Sequence, residues 1–128
     1  MSKTNFDFDV IVIGAGYGGF DAAKHAAEHG LRVGIIEARE MGGTCVNRGC
    51  VPSKALLAAS GKVRELADAD HLALFGIHSA PVRFERQKIA DHANNLVSNV
   101  RNGLTKTLER SGVTILKGYG RLEGSQKV

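Results

Sequence analysis

The residues best equipped for chemistry are Cys45 and Cys50, the only two cysteines in 128 residues. They stand in Met41-Gly-Gly-Thr-Cys-Val-Asn-Arg-Gly-Cys-Val-Pro-Ser-Lys54 with four residues between them. A disulfide needs its Cα atoms within about 4.4–6.8 Å. Residues five apart in a regular α-helix are separated by about 8.7 Å, so a bridge here requires a distorted turn. Gly49 supplies backbone freedom for one, and a sharp turn is expected at Pro52. Such a small loop removes little entropy from the unfolded chain and stabilises weakly, which suits a bond that opens and closes. The plain alternatives are two unpaired thiols or half of a metal site. Zinc spacing is usually tighter, and no Cys/His pair elsewhere completes four ligands. No metal is expected, and redox chemistry ranks ahead of both alternatives. Lys54, closing the stretch, is placed to face an anion.

A second chemical unit precedes the first. Val10-Ile-Val-Ile13 is a β-branched run that reads as a buried parallel strand. It leads into Gly14-Ala-Gly16-Tyr-Gly-Gly19, a full Gly-x-Gly-x-x-Gly. Phe20 to His29 has helical character and Gly30 is a C-cap. Leu31 to Ile36 forms a second strand that finishes on Glu37, eighteen residues beyond Gly19. Gly14 permits the tight turn, Gly16 lets a pyrophosphate approach the backbone, and Gly19 lets the helix pack on the sheet. The helix amides and positive end stabilise phosphates. Glu37 accepts hydrogen bonds from a ribose and disfavours a 2′-phosphate. A glycine-rich turn followed by an incidental Glu is the bland alternative, but the ordered strand, glycines, helix, strand and acid outweigh it. The fingerprint alone does not separate NAD from FAD.

Further elements must support these two units. From Pro52, Ala55, Leu56, Ala59, Val63, Leu66 and Ala67 recur at helical spacing, with Arg64, Glu65, Asp68 and Asp70 on the polar side. A turn-rich stretch follows from Gly76 to Pro81. Phe84 to Gly112 predicts a long helix whose stripe of Ile89, Ala93, Leu96, Val97, Val100, Leu104 and Leu108 reads as core packing. Val113 to Leu116 predicts another strand, followed by Gly118-Tyr-Gly120. Apolar residues make up 43% and charged residues 23%, a soluble globular profile for one domain. The net charge is +4, and the seventeen Lys and Arg are scattered, so nucleic-acid binding has little support. Met1 to Asp9 shows no signal peptide, and no stretch approaches a membrane span. A cytoplasmic, reducing location follows, where a disulfide is catalytic or sensing.

Together these residues resemble the flavoprotein disulfide reductases. Gly42-Gly-Thr-Cys-Val-Asn-Arg-Gly-Cys-Val-Pro-Ser-Lys54 is similar to that family's active-site signature over its whole length, and the resemblance covers essentially the entire chain. Ser53-Lys-Ala-Leu-Leu57 favours the dihydrolipoamide branch over the glutathione reductases, which usually carry a lysine where Ser53 stands. Mercuric reductases share Pro-Ser-Lys, and Val46 and Val51 are common in both neighbours, so that branch stays open.

The resemblance implies an α/β fold: a Rossmann-like FAD-binding domain with a parallel sheet and flanking helices, incomplete at 128 residues. Residues 1–128 would be its first segment, without the nicotinamide and dimer-interface domains. It implies that Cys45 exchanges with the substrate disulfide and that Cys50 lies beside the flavin as a thiolate, its pKa lowered by flavin and nearby positive charge. Lys54 would approach the flavin's reactive nitrogen, Gly43 and Thr44 the pyrophosphate, and Gly120 the adenine through its backbone. Glu37 would take the adenosine ribose. The activity implied is oxidation of dihydrolipoamide with bound FAD and with NAD+ as acceptor, in a homodimer serving lipoyl domains of 2-oxo acid dehydrogenase or glycine cleavage complexes. The family's catalytic His-Glu pair has no counterpart at His25, His29, His71, His78 or His92. By itself the segment is expected to be an inactive dinucleotide-binding module.

Overall fold

The structure is a computed structural model that describes residues 6–128. The reading that no signal peptide occupies Met1 to Asp9 falls largely on residues 1–5, outside the described residues. Val10–Ile13 form β1, Tyr17–Glu28 α1, Val33–Glu37 β2, Gly43–Arg48 α2 and Cys50–Ala67 α3. Ala69–Ala73 form the short α4, Arg86–Arg110 α5 and Thr114–Lys117 β3. The strands are rich in β-branched residues, which fit a pleated, packed surface. They form one parallel sheet in the order β1-β2-β3, with Val10 beside Val33 and Ile35 beside Ile115.

Side chains alternate across the strands. Val10, Val12, Val33, Ile35 and Ile115 join Phe20 and Ala23 of α1 and Leu104 and Leu108 of α5 in the core. Ile11, Ile36 and Leu116 line a hollow on the other face with Phe8 and the last residues of the chain. The α/β architecture with a parallel sheet and flanking helices is the one expected from the sequence.

Local chemistry sets the element ends. Gly30, at φ 79°, stops α1, and its N–H bonds to Ala27 O at 2.9 Å. Gly112 does the same for α5 at φ 79°. Asp9 holds Arg32 through backbone and guanidinium bonds of 2.8–3.1 Å, tying the entry of β1 to the entry of β2.

Several boundaries differ from expectation. α1 starts at Tyr17 because the glycine turn runs straight into it: Gly16 is the N-cap, and Phe20 N–H bonds to Gly16 O at 2.8 Å. β2 starts at Val33, since Leu31 N–H is still tied to Ala26 O of α1. Pro52 makes no turn. It stands in the first turn of α3, where a missing N–H leaves no helical bond unmade, and the chain bends at Gly49. The apolar stripe of α3 is narrower than expected: Ala55, Ala59 and Val63 are half-buried, while Leu56 and Leu66 are exposed.

The candidate phosphate cradle and dithiol

The cradle begins where β1 ends. Gly14, at φ 95°, donates its N–H to Ile36 O of β2 at 2.8 Å. A Cβ on Gly19 would stand 1.9 Å from Gly14 O, so only glycine lets α1 close against this turn. By contrast, nothing lies within 4 Å of a Cβ built on Gly14, Gly16 or Gly18. One side of the turn is therefore packed and the other is open to a ligand.

The second glycine pair comes to the same place. Gly42 N–H bonds to Ala15 O at 2.8 Å, and a Cβ on Gly43 would lie 3.0 Å from Gly16 Cα. Gly42 and Gly43 have φ of 91° and 60°, values that other residues rarely adopt. Thr44 follows, exposed, in the first turn of α2. Glu37, at the end of β2, accepts Ala15 N–H at 2.8 Å and Arg39 N–H at 2.7 Å. Gly118 N–H bonds to Glu37 O at 3.0 Å. A Cβ on Gly120 would meet Ile13 and Ile36 at 3.1 Å, so this backbone crosses close over the strand ends. Gly14, Gly16, Gly19, Glu37, Gly43, Thr44 and Gly120 thus gather at the carboxyl ends of parallel strands, where α/β sheets bind ligands. Open space beside the glycine backbone and helix amides facing it fit the pyrophosphate of a dinucleotide.

The sulfur chemistry is built onto the far end of this loop. Cys45 lies in α2 and is half-buried; Cys50 is the first residue of α3 and is exposed. Both are free thiols. The break at Gly49 sets Cys50 close enough to Cys45 to be the main influence on its thiol. A Cβ on Gly49 would come 3.0 Å from Thr44 O and 3.2 Å from Cys45 Cα. The Cys50 side chain is the main cause that pushes the Cys45 thiol above its ordinary 9.0, with burial adding to it. The Cys50 N–H and the charge of Lys54 pull the other way. Lys54 is exposed on the second turn of α3.

Sequence reasoning passed over Asn47 and Arg48, which lie between the cysteines. Asn47 Nδ2 donates to Met41 O and Gly43 O, each at 2.9 Å. Arg48 Nη2 reaches both carboxylate oxygens of Glu40 at 3.0 Å. The available signal was a poor helix former inside a short helix, next to a charged residue flanking a glycine. All five histidines are exposed. Among the described residues no group of three or more His, Cys, Asp or Glu is arranged to hold a metal ion, and no helix is long and apolar enough to cross a membrane. A larger cavity of about 500 Å³ between α3 and α5, lined by Ala59, Phe84, Ile89 and His92, shares no residue with the cradle or the thiols.

The profile of the pyridine nucleotide-disulphide oxidoreductases matches residues 8–128. This chain belongs to that family. Among its relatives, a dihydrolipoyl dehydrogenase of Synechocystis is 56% identical over 97% of this chain and 26% of its own length. A chloroplastic dihydrolipoyl dehydrogenase of Arabidopsis thaliana is 54% identical over 97% of this chain and 22% of its own length. The crystal structure of LpdA from Mycobacterium tuberculosis superposes with a TM-score of 0.73 at 29% identity, covering 90% of this chain and 24% of that one. The chain therefore spans about a quarter of the length of the relatives it matches. Family membership agrees with the resemblance carried by Gly42 to Lys54.

Proposed function

We propose that this chain is the first segment of the FAD-binding domain of a dihydrolipoamide dehydrogenase, with Cys45 and Cys50 as its redox pair. One observation carries the reading: the helix break at Gly49 sets Cys50 beside Cys45 directly after the glycine loop that completes the phosphate cradle. Gly14, Gly16, Gly43 and Thr44 would hold the FAD pyrophosphate, with Gly19 letting α1 close behind them, Glu37 would take the adenosine ribose and Gly120 the adenine. Lys54 lies toward the flavin ring.

The chain's residues perform the sulfur steps. A thiolate of dihydrolipoamide attacks Cys45 of the oxidised Cys45–Cys50 pair, and the bond between the two protein sulfurs breaks. Cys50 leaves as a thiolate. The second substrate thiolate then attacks the substrate sulfur bound to Cys45; lipoamide departs and Cys45 takes back the electron pair of that bond. The substrate's two protons pass to a base supplied by the rest of the full-length protein and to Cys45. In the resulting dithiol, Cys45 keeps its proton, because a neighbouring Cys50 disfavours a second negative charge. Cys50 is the first residue of α3. A bound FAD would supply the acceptor for the electron pair, with NAD+ as the final oxidant.

The full-length protein acts as a cytoplasmic homodimer on lipoyl domains of 2-oxo acid dehydrogenase or glycine cleavage complexes. Turnover of the full-length protein with dihydrolipoamide, glutathione disulfide and mercuric ion tests the reading. Preferred use of dihydrolipoamide with NAD+, abolished by Cys45→Ser and by Cys50→Ser, is the expected result. Preference for mercuric ion would move the protein to that sibling branch.

A further inference from the structure

Asn47 makes an arrangement that neither packing nor helix formation requires. Its carboxamide nitrogen faces three backbone oxygens at once: Met41 O and Gly43 O at 2.9 Å and Glu40 O at 3.5 Å. These three oxygens fix the orientation of the amide, since a flipped group would aim its own oxygen at them. Oδ1 then points the other way, buried and without a hydrogen-bond partner among the described residues. Buried polar atoms are ordinarily matched, so the residue is held for its nitrogen.

What that nitrogen grips is the loop of the cradle. Gly43 lies against Gly16, and Gly42 is fixed to Ala15 O at 2.8 Å. A Cβ on Gly42 would come 2.4 Å from Val46 Cγ2, so α2 already presses on this loop. Arg48 adds the paired contact to Glu40. Asn47 stands two residues after Cys45 and three before Cys50. A single side chain therefore bonds the loop under the phosphates to the helix that carries the exchanging sulfur.

We propose that Asn47 is a positioning residue: it fixes the separation between the phosphate cradle and the Cys45–Cys50 pair, and so the placement of the sulfurs against the flavin. This rests on the FAD reading above. The full-length protein with Asn47→Ala, Asn47→Ser and Asn47→Asp provides the test, read by flavin fluorescence on release and by the long-wavelength absorbance of the two-electron-reduced protein. Asn47→Ala releases FAD about tenfold faster, the scale of one or two lost hydrogen bonds, and weakens that absorbance while KM for NAD+ stays unchanged. Asn47→Asp, which keeps the shape but aims an anion at three carbonyls, has a larger effect. Asn47→Ser, with one hydroxyl donor, falls between wild type and Asn47→Ala, and reports on the proposal if Asn47→Ala does not fold.

Unchanged flavin release and absorbance in Asn47→Ser and Asn47→Ala would overturn the proposal. So would a lower melting temperature with both signals intact, which is a structural role alone. A wild-type protein that purifies with flavin and turns over dihydrolipoamide upholds the function whatever the Asn47 variants do. A wild type without flavin would bring down both.

Discussion

Glu37 Oε2 accepts the backbone N–H of Ala15 at 2.8 Å, so the last residue of β2 holds the glycine turn that leaves β1. Its other oxygen takes Arg39 N–H at 2.7 Å. An ionised carboxylate has about four lone-pair directions. Two remain after these bonds, and they can serve a ribose. The acid expected to read the ligand thus also fixes the loop that the ligand would rest on.

Glu37→Ala is therefore expected to destabilise the empty protein as well as weaken dinucleotide binding. Ala15 is 0% exposed, and a buried N–H without an acceptor costs about 1–3 kcal/mol. Glu37→Gln keeps one carbonyl oxygen and should lose less. Urea unfolding of the flavin-free protein measures both. A wild-type midpoint for Glu37→Ala would show that the Ala15 bond contributes nothing.

The glycines separate folding from binding. Gly19→Ala puts a methyl 1.9 Å from Gly14 O, a backbone atom that cannot step aside. Overpacking of this kind costs roughly 3 kcal/mol or more. Gly16→Ala meets nothing within 4 Å and has φ −66°, which alanine accepts. It should fold with little change in melting temperature yet, if the proposed cradle holds FAD, lose flavin, because its methyl would enter the open space beside the glycine turn. Equal stability of the two variants by thermal melting, or full flavin content in Gly16→Ala, would contradict this division.

The sequence makes the cradle legible because each residue there answers a local demand: glycine at a positive φ or a close approach, an acid at a strand end. The dithiol turn is less so. Pro52 reads as a breaker, yet helix starts tolerate proline, and the bend falls one element earlier at Gly49. The α3 stripe reads as one apolar helix face by periodicity, but periodicity does not say how much partner surface is present to cover it. Leu56 and Leu66 stay 46% and 50% exposed beside half-buried Ala55 and Val63. Asn47 escaped notice because its partners are backbone oxygens, which no side-chain pattern reveals.

The Asp9–Arg32 pair gives an acid-sensitive contribution to stability. Arg32, through its side-chain hydrogen bonds first, holds the Asp9 carboxyl down at about 2 against an ordinary 3.8. Because the folded value lies below the unfolded one, the stabilisation is complete above about pH 4 and fades as pH falls toward 2. Both groups are solvent-exposed, so salt should weaken it. Asp9→Asn is expected to lower stability at pH 7 and to flatten the decline between pH 4 and 2. Denaturant midpoints over that window decide it; a slope identical to wild type would remove Asp9 from the account.

The dithiol predicts an order of ionisation that alkylation can read. Cys45 is pushed above 9.0 mainly by the Cys50 side chain, and Lys54 opposes the shift. In reduced Cys50→Ala the principal cause is gone, so the rise of Cys45 alkylation rate with pH moves to lower pH. Lys54→Met removes the opposing charge and moves it to higher pH. Only the thiolate reacts with iodoacetamide, which makes the rate profile a direct titration of Cys45. Measured on the flavin-free protein by mass of the Cys45 peptide, the two variants should flank the wild-type profile. Shifts in the same direction would mean that Cys50 and Lys54 do not act on this sulfur in opposite senses, and the assignment of its proton to Cys45 would fail with them.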